Sequence, residues 1–244
     1  MRKPNLEDIA DSPVLLPIYL PYSERAARRK YLEDGPRLAF FEYFERAKSG
    51  SSAAQAVLAL YYLFGWVANV DRLECARHWA SKSASSCDEY GQWVFSWVLL
   101  EEKQLAAGIQ QMILSAEQGF TPAIHHLGLF VINGVGFGKD MELGMKLVGL
   151  AANMGHHVSK LFVIRYYKMG GKGPITKIFA YLFLQFVELF DPIRRLLPGN
   201  MFGPSRLIYF RQVSVENASR RDVNGEIIDG SLEAMLENFL ANQS

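Results

Sequence analysis

Four of the five histidines stand in two adjacent pairs, and they are the side chains best suited to bind a metal or to move a proton. His125–His126 and His156–His157 are 31 residues apart, and His78 stands alone. Neighbouring helical residues point about 100° apart, so neither pair has the i, i+4 spacing of a helical zinc site. The second pair follows a predicted helix end, where histidine interacts favourably with the helix dipole. The sequence therefore predicts no metal and no cofactor.

The glycine-rich run at 134–138, GVGFG, superficially resembles a nucleotide-binding fingerprint. It joins two predicted helices, whereas a dinucleotide-binding loop follows a strand. The chain also lacks the nucleophile elbow of hydrolases and the Gly-Lys-Ser/Thr phosphate loop. No carboxylates or cysteines are spaced to form a general base or an activated nucleophile. We therefore expect that the protein is not an enzyme.

The region around these histidines and glycines predicts two short helices folded back on each other over 123–155. Ala123, Leu127 and Val131 have the i, i+4, i+8 spacing of one apolar helix face. The glycines that follow break this helix, Asp140 is placed to cap the next one, and Gly155 to end it. The apolar face of the second helix consists of Leu143, Leu147, Leu150 and Ala151. Such a hairpin cannot bury both of its faces alone, so it needs neighbours of the same kind.

Copies of this hairpin are present along the chain. A small residue ends a predicted second helix at Gly50, Cys87, Gly119 and Gly155, at separations of 37, 32 and 36 residues. Each is followed four positions later by another small residue and then by an apolar one, in the pairs Ala54/Leu58, Gly91/Phe95, Ala123/Leu127 and Ser159/Val163. The second unit is short because its loop, LLEEKQ, lacks the glycine-rich segment. The spacing predicts a half-repeat over 36–50 and full repeats over 51–87, 88–119, 120–155 and 156–191.

This pattern resembles the Sel-one-like (Sel1-like) repeat family, a relative of the tetratricopeptide repeats. The third unit matches best, through Ala123, Leu127, Gly128, Gly134, Gly136, Asp140, Ala151, Ala152 and Gly155. The first unit matches through Ala54, Leu58, Tyr62, Gly65, Val67, Asp71, Ala76, Trp79 and Ala84; the second keeps Ala116 and Gly119, and the fourth Tyr167, Gly170 and Ala180. The resemblance implies an all-α fold: a right-handed superhelical α-solenoid of stacked antiparallel helix pairs that binds proteins and does not catalyse.

The composition excludes several classes of protein. A net charge of +1 gives no general attraction to nucleic acid, and 50% hydrophobic residues exclude disorder for most of the chain. Cys75 and Cys87 bracket one predicted helix about 18 Å long, too far apart for a disulfide, and both fit buried small positions. The N-terminus shows no secretory signal because VLLPIYLP is short and interrupted by proline. We expect a cytoplasmic protein and leave the periplasm open.

The two ends of the chain leave the repeat pattern. Residues 1–35 are predicted to form an extension with a capping helix over 23–35, in which Ala26, Ala27 and Tyr31 face the first half-repeat. Its basic face is either solvated or a docking site for an acidic partner, and consists of Arg25, Arg28, Arg29 and Lys30. Residues 192–244 are predicted to form an irregular arm, with a small hairpin of 206–215 with 226–228. A terminal helix from Ser231 either caps the last repeat or docks on a partner or a second copy.

The most apolar segment is Ile178–Phe190, IFAYLFLQFVELF. It is shorter than the roughly 20 apolar residues that a spanning helix needs, and it contains Gln185 and Glu188. In the repeat register it is the second helix of the fourth unit. We expect a buried helix, and keep an interfacial helix and a membrane span as alternatives.

The first helices of a stack of hairpins line its inner curve, which is an extended binding surface. The side chains that project from these helices away from the small–apolar register form a column that is aromatic in the middle and basic at one end. Tryptophan and arginine often dominate interfaces, so we select this column as the partner-binding site. Its candidate residues are Trp93, Trp97, His125, Leu129, Arg165 and Lys168. The alternative for the two tryptophans is that they fill the core.

Three functions remain open at this point. The first is a bacterial immunity protein that binds and occludes a secreted toxic effector, because proteins resembling this family occur beside type VI secretion effectors of the phospholipase type. The second is a scaffold or regulatory adaptor in signalling, envelope biogenesis or motility. The third is a peripheral membrane protein anchored by Ile178–Phe190 with Arg194 and Arg195. Neither the partner nor the oligomeric state follows from the sequence.

Overall fold

The computed structural model describes residues 3–9, 21, 23–168 and 230–241. These ranges contain ten α-helices, one 3-10 helix over Leu6–Asp8 and no strand. The α-helices are α1 Arg25–Asp34, α2 Pro36–Lys48, α3 Ser52–Leu63, α4 Arg72–Ala84, α5 Glu89–Glu101, α6 Leu105–Glu117, α7 Thr121–Asn133, α8 Met141–Asn153, α9 His157–Lys168 and α10 Gly230–Ala241. From α1 to α9 each helix packs on the next one along the chain. The all-α prediction of helices stacked in pairs is confirmed.

The helix pairs fall where the repeat spacing puts them. The pairs α3/α4, α5/α6 and α7/α8 occupy the first three predicted repeats, and α2 occupies the half-repeat at 36–50. Helix α9 is the first helix of the predicted fourth repeat. Its expected second helix at 178–190, like the hairpin of 206–215 with 226–228, lies outside the described residues. Among the residues that are described, no helix is long and apolar enough to cross a membrane.

Short polar side chains start these helices. Asp140 accepts a hydrogen bond from the Leu143 amide at 2.9 Å, as the sequence predicts. Asp71 caps α4 in the same way at 3.0 Å, and Ser51 caps α3 through the Ala54 amide at 3.2 Å. Each cap satisfies an amide that the first turn of a helix leaves without a partner. At α3, α4 and α8 the capping residue therefore determines where the helix begins.

The four small residues that mark the repeat period share one backbone conformation. Gly50, Cys87, Gly119 and Gly155 have φ values of 101°, 53°, 84° and 100°, in the left-handed region. The left-handed residue turns the chain so that the next amide can bond back into the helix, as the His156 amide does to the Ala151 carbonyl at 2.9 Å. Cys87 is exposed, so the prediction that it is buried is wrong. Cys87 lies in the turn after the helix, so what it shares with the three glycines is the left-handed backbone conformation and not burial.

The two helices of a pair cross at small residues. A Cβ atom on Gly128 of α7 would lie 2.8 Å from the Gly144 carbonyl oxygen of α8, and one on Gly144 would lie 2.7 Å from the Gly128 carbonyl. In the second pair, a Cβ on Gly108 would lie 3.1 Å from the Ser96 carbonyl. These distances are below ordinary van der Waals contact, so the backbones touch where the helices cross.

The C-terminal helix α10 packs on α6, with Leu236 and Phe239 buried in the core. The predicted cap on the last repeat and the docking on a partner or a second copy stay predictions. The contact that the structure shows is with the second repeat of the same chain. The reason lies in the composition of α6, which has no charged residue before Glu117, whereas α4 and α8 each carry several. An uncharged helix surface accepts an apolar helix at the lowest desolvation cost.

The N-terminal helix α1 packs on α2 as the predicted cap, with Ala27 and Tyr31 buried. Ala26 is exposed, which corrects its assignment to the packed face. Arg25 and Arg29 are exposed as well. The cap closes the end of the stack, where a helix surface would otherwise be open to water.

Candidate functional site

The structure separates the six candidate partner-binding residues into two groups. Trp93, Trp97 and His125 are buried, with exposed fractions of 0%, 7% and 3%. Leu129 is half-buried and Arg165 is exposed. Lys168 is the last residue of α9, and its side chain lies outside the description. The role of these residues in binding a partner stays a prediction; among those whose side chains are described, Arg165 is the exposed one and Leu129 is partly open to solvent.

The two tryptophans lie in an aromatic cluster at the interface of the second and third repeats. The Trp93 ring lies 5.7 Å from Phe120 and 6.0 Å from His126, and the Trp97 ring lies 4.9 Å from His126 and 6.1 Å from Phe130. Edge-to-face and tilted aromatic contacts at these distances stabilise a core beyond simple burial. The burial agrees with the alternative that the two indoles fill the interior.

His126 is held by the backbone of its own helix. Its Nδ1 lies 2.6 Å from the Pro122 carbonyl oxygen and 3.4 Å from the Trp93 indole nitrogen. The carbonyl can only accept and is much the closer of the two, so Nδ1 carries the proton and the indole contact is a packing contact. Burial lowers the pKa of His126 to about 4, although the bond to Pro122 acts in the opposite direction. The ring is therefore neutral at physiological pH and behaves as an aromatic core residue.

Two histidines from different repeats meet on one buried serine. The Oγ of Ser159 lies 2.9 Å from Nδ1 of His125 and 2.8 Å from Nδ1 of His156, and the serine has no exposed surface. We call these three residues the His–Ser–His chain. The two imidazole rings are 5.1 Å apart. The chain joins α7 of the third repeat to the start of α9, so it links the third repeat to the fourth.

The direction of the hydrogen bonds in this chain follows from one backbone contact. The Ser159 amide points at Nδ1 of His156 at 3.4 Å, so this nitrogen is an acceptor. The serine hydroxyl then donates to His156, and His125 donates from Nδ1 to the serine oxygen. The proton of neutral His156 is on Nε2, which is buried without a hydrogen-bond partner among the described residues.

Both histidines of the chain are neutral. Burial lowers the pKa of His125 well below its usual value, and the neighbouring His126 and His156 act in the same direction. Burial likewise lowers the pKa of His156 to about 3, with contributions from His126 and His157. A charged imidazole here would lose its hydration and face other imidazoles, so protonation opposes the folded state.

The His–Ser–His chain does not form a catalytic or metal site. A serine between two imidazoles has the groups of a nucleophile with its base, but Ser159 has no surface that a substrate could reach. Among the described residues, no group of three or more His, Cys, Asp or Glu side chains is placed to hold a metal ion. What the arrangement provides is a buried polar link between two repeats.

The sequence analysis did not predict this chain, because the spacing of histidines along a helix does not show which side chain of the next repeat they meet. The angle between His125 and His126 excludes a zinc site on one helix, but it says nothing about a contact with the next repeat. The missing signal was Ser159, which occupies the small-residue position of the fourth unit and is the one hydroxyl among those anchors. A hydroxyl at this small-residue position, in the repeat that follows the one with His125, indicates the contact between the two repeats.

Helix α9 differs from the first helices of the other repeats. In α3, eleven of the twelve residues are buried, whereas in α9 Ser159 is the one buried side chain among those described. The half-buried side chains of α9 are Val158, Leu161, Phe162, Val163, Ile164, Tyr166 and Tyr167. With the exposed Arg165 these partly open side chains lie around the helix and are apolar, aromatic and basic; we call them together the α9 surface. These are residue types that contribute strongly to protein interfaces.

Comparison with known proteins identifies the fold. No protein-family model matches the chain, and no curated protein matches it significantly. A solved Sel1 repeat protein from Oxalobacter formigenes is similar at 20% identity and a TM-score of 0.52, over 81% of this chain and 86% of that chain. A protective antigen of uropathogenic Escherichia coli with an SLR (Sel1-like repeat) fold matches at 18% identity and a TM-score of 0.46, over 67% of this chain and 38% of that one. At this identity the first likeness shows the fold, the stacked helix pairs of Sel1 repeat proteins.

Proposed function

We propose that this chain, which has the fold of Sel1 repeat proteins, is a non-catalytic module that binds another protein. The observation that carries the proposal is the α9 surface, where a first helix keeps its apolar and aromatic residues partly open while the corresponding helix α3 is closed. Repeat stacks use such surfaces to hold a partner along several helices. The buried tryptophans support the stack from inside, and Arg165 supplies an exposed charge at its edge.

A photo-crosslinking amino acid placed at Arg165 tests the proposal in the native host. We expect one protein to be linked there, and not from a matched position at Lys146, which is exposed on α8. The partner is then purified, and its affinity is measured for the parent chain and for Arg165→Glu. Reversing one interface charge should weaken binding by about 10-fold. Equal crosslinking from both positions, or equal affinity of the two chains, would contradict a partner site on α9.

We further propose that the partner is a toxic secreted effector of the phospholipase type, which the chain neutralises by occluding its active site. This step is supported by the family resemblance alone. It is tested by co-expression with the toxin-like product of a neighbouring gene. Protection of the host together with a stable complex is the expected result. A complex that forms without protection would favour the scaffold alternative, and liposome binding by the purified chain would favour the membrane-surface alternative.

A further inference from the structure

Residues 3–9 lie as a short strap along the first repeat. They run between the exposed side of α2 and the loop that follows α3. Ile9 has no exposed surface and pairs with Val67 of that loop in a single antiparallel bridge. The Ala68 amide donates to the Asp8 carbonyl at 2.7 Å. The strap therefore contacts the loop through one β-bridge at Ile9, directly after its single 3-10 turn over Leu6–Asp8.

Helix α2 provides the other wall of this site through residues four positions apart. Nε of Arg37 donates to the Ile9 carbonyl at 2.7 Å. At the other end of the strap, Lys3 forms an ion pair with Glu45 and lies over the Phe41 ring at 5.3 Å. Arg37, Phe41 and Glu45 have i, i+4, i+8 spacing, so they form one stripe of the helix. The strap consequently runs antiparallel to α2.

Side-chain contacts give the site a sequence preference. The Asn69 amide nitrogen donates to the Asp8 carboxylate at 2.9 Å. Glu45 selects a basic residue at the position of Lys3. Asn69 selects an acidic or other hydrogen-bond-accepting residue at the position of Asp8. The core selects a branched aliphatic residue at the position of Ile9. Leu6 is 44% exposed and takes no part. The pattern is a basic residue, four residues of any type, an acidic residue and then an aliphatic one.

We infer that the groove between α2 and the loop at Val67–Asn69 is a binding site for a short peptide segment of a partner protein, occupied in this structure by the chain's own residues 3–9 with their 3-10 turn. The strap is exchangeable because one buried side chain anchors it, while its Lys3–Glu45 and Asp8–Asn69 contacts are both at exposed positions. A tethered segment acts at an effective concentration of about millimolar, so a partner with the same pattern competes only when it binds more tightly. The site is at the opposite end of the stack from the α9 surface and is independent of the function proposed there.

A labelled peptide with the sequence of residues 1–12 tests the inference against the full chain. Ile9→Ser removes the buried anchor of the strap and should raise the affinity for the peptide by about 10-fold or more relative to the parent chain, because the site is opened. Leu6→Ser is the matched control, since it changes an exposed residue of the same strap and should leave peptide binding as weak as in the parent. A peptide that carries Ile9→Ser should bind the opened chain about 10-fold more weakly than the parent peptide.

Circular dichroism shows whether the Ile9→Ser chain, which we call the opened chain, is folded. If it is not folded, Ile9→Ala takes its place, because alanine keeps a small apolar group. Adding Arg37→Ala to the opened chain should again weaken peptide binding, because the contact with the peptide carbonyl is lost. Equal peptide affinity of the opened and parent chains, with both folded, would overturn the inference. Exchange of straps within a dimer of the parent chain would also overturn it, because the occupant would then be a second copy.

Discussion

The second and third repeats have the same architecture but keep it with different residues. The third repeat crosses its helices at two glycines, Gly128 and Gly144, and joins them by the seven residues 134–140. The second crosses at Ser96 and Gly108 and joins its helices by the three residues 102–104. In both repeats the turn after the first helix nevertheless contains a residue in the left-handed conformation, with φ of 73° at Gly134 and 64° at Lys103. Backbone conformation is retained where residue identity is not.

The polar contacts inside the two repeats differ more than the helices do. In the second repeat, Oγ of Ser115 donates to the Glu89 carbonyl at 2.6 Å and ties the two helices together. In the third, Ala151 occupies the corresponding position, and the buried polar groups are histidines that contact the neighbouring repeats. A serine does not titrate near neutral pH, but a buried neutral imidazole does when acid is added. The comparison predicts that acid acts on the third repeat.

The largest expected effect is a loss of stability in acid. The unfolded chain has histidine pKa values of about 6.5, while burial lowers the folded values to about 4 for His126 and about 3 for His156. The unfolded state therefore binds more protons below pH 6.5, so the contribution of these groups is complete above that pH and falls as the pH falls. Between pH 7 and pH 5 the two histidines should cost about 4 kcal/mol of unfolding free energy, and His125 adds to it. Denaturant titrations at the two pH values measure this difference.

The variant His126→Phe separates this effect from the titration of carboxylates. Phenylalanine suits a position whose neighbours are Trp93, Trp97 and the helix backbone, and it cannot bind a proton. The loss between pH 7 and pH 5 should shrink by about 2 kcal/mol. His78→Phe is the matched control for the replacement itself, because it introduces the same ring at an exposed histidine of α4. An identical loss in the parent and in His126→Phe would show that the buried ring is not the source.

The next largest effect is expected where the helices of the third repeat cross. Gly144→Ala places a Cβ 2.7 Å from the Gly128 carbonyl oxygen and closer still to the Ile132 side chain. Because backbone atoms cannot move away without separating α7 from α8, we expect a loss of about 2–4 kcal/mol. Gly149→Ala in the same helix meets nothing within 4 Å and should be neutral or stabilising by up to about 1 kcal/mol. Thermal melts compare the two, and similar melting temperatures would refute the close crossing.

The sequence predicted the repeated helices and the two end helices, and it missed contacts that occur once between distant segments. The period of the small residues located α2 to α9, because the turns at Gly50, Cys87, Gly119 and Gly155 need the same left-handed conformation in every repeat. The strap at residues 3–9 has no copy elsewhere in the chain, and its contacts with Arg37 and Asn69 join residues far apart in sequence. No periodicity can reveal such a contact.

The exposure of the candidate site residues could not be predicted for a related physical reason. Spacing within a helix identifies which side chains share a face, but it does not say whether that face is covered. Trp93 and Trp97 were placed on the inner curve of the stack, and in the structure they are covered by neighbours that include Phe120 and Phe130. Arg165 is exposed on the same column because α9 is more open than α3 or α5. Burial depends on how all the helices pack together, and the residue spacing within one helix does not determine that packing.

A smaller loss is expected at the start of α7. Ala123 has no exposed surface and occupies the small-residue position of the third repeat, so Ala123→Leu should overpack it and cost about 1–3 kcal/mol. The corresponding Gly91 of the second repeat is tighter, because even a Cβ there would lie 2.8 Å from the Ser83 carbonyl carbon. Gly91→Ala should therefore also destabilise the fold, although it adds only one methyl group. A melting temperature of Ala123→Leu equal to that of the parent would contradict the packing role.

The smallest effect tests whether the second repeat carries strain that the third avoids. Lys103 has φ of 64°, where a side chain costs about 1–2 kcal/mol that glycine does not. Lys103→Gly should relieve that cost, less the extra entropy that glycine gives the unfolded chain, for a net gain of about 0.5–1 kcal/mol. Lys103→Ala is the control, because it removes the long side chain but keeps the Cβ and so should bring no gain. If denaturant titration finds the alanine variant as stable as the glycine variant, the gain comes from losing the lysine charge or chain, and the left-handed turn carries no strain.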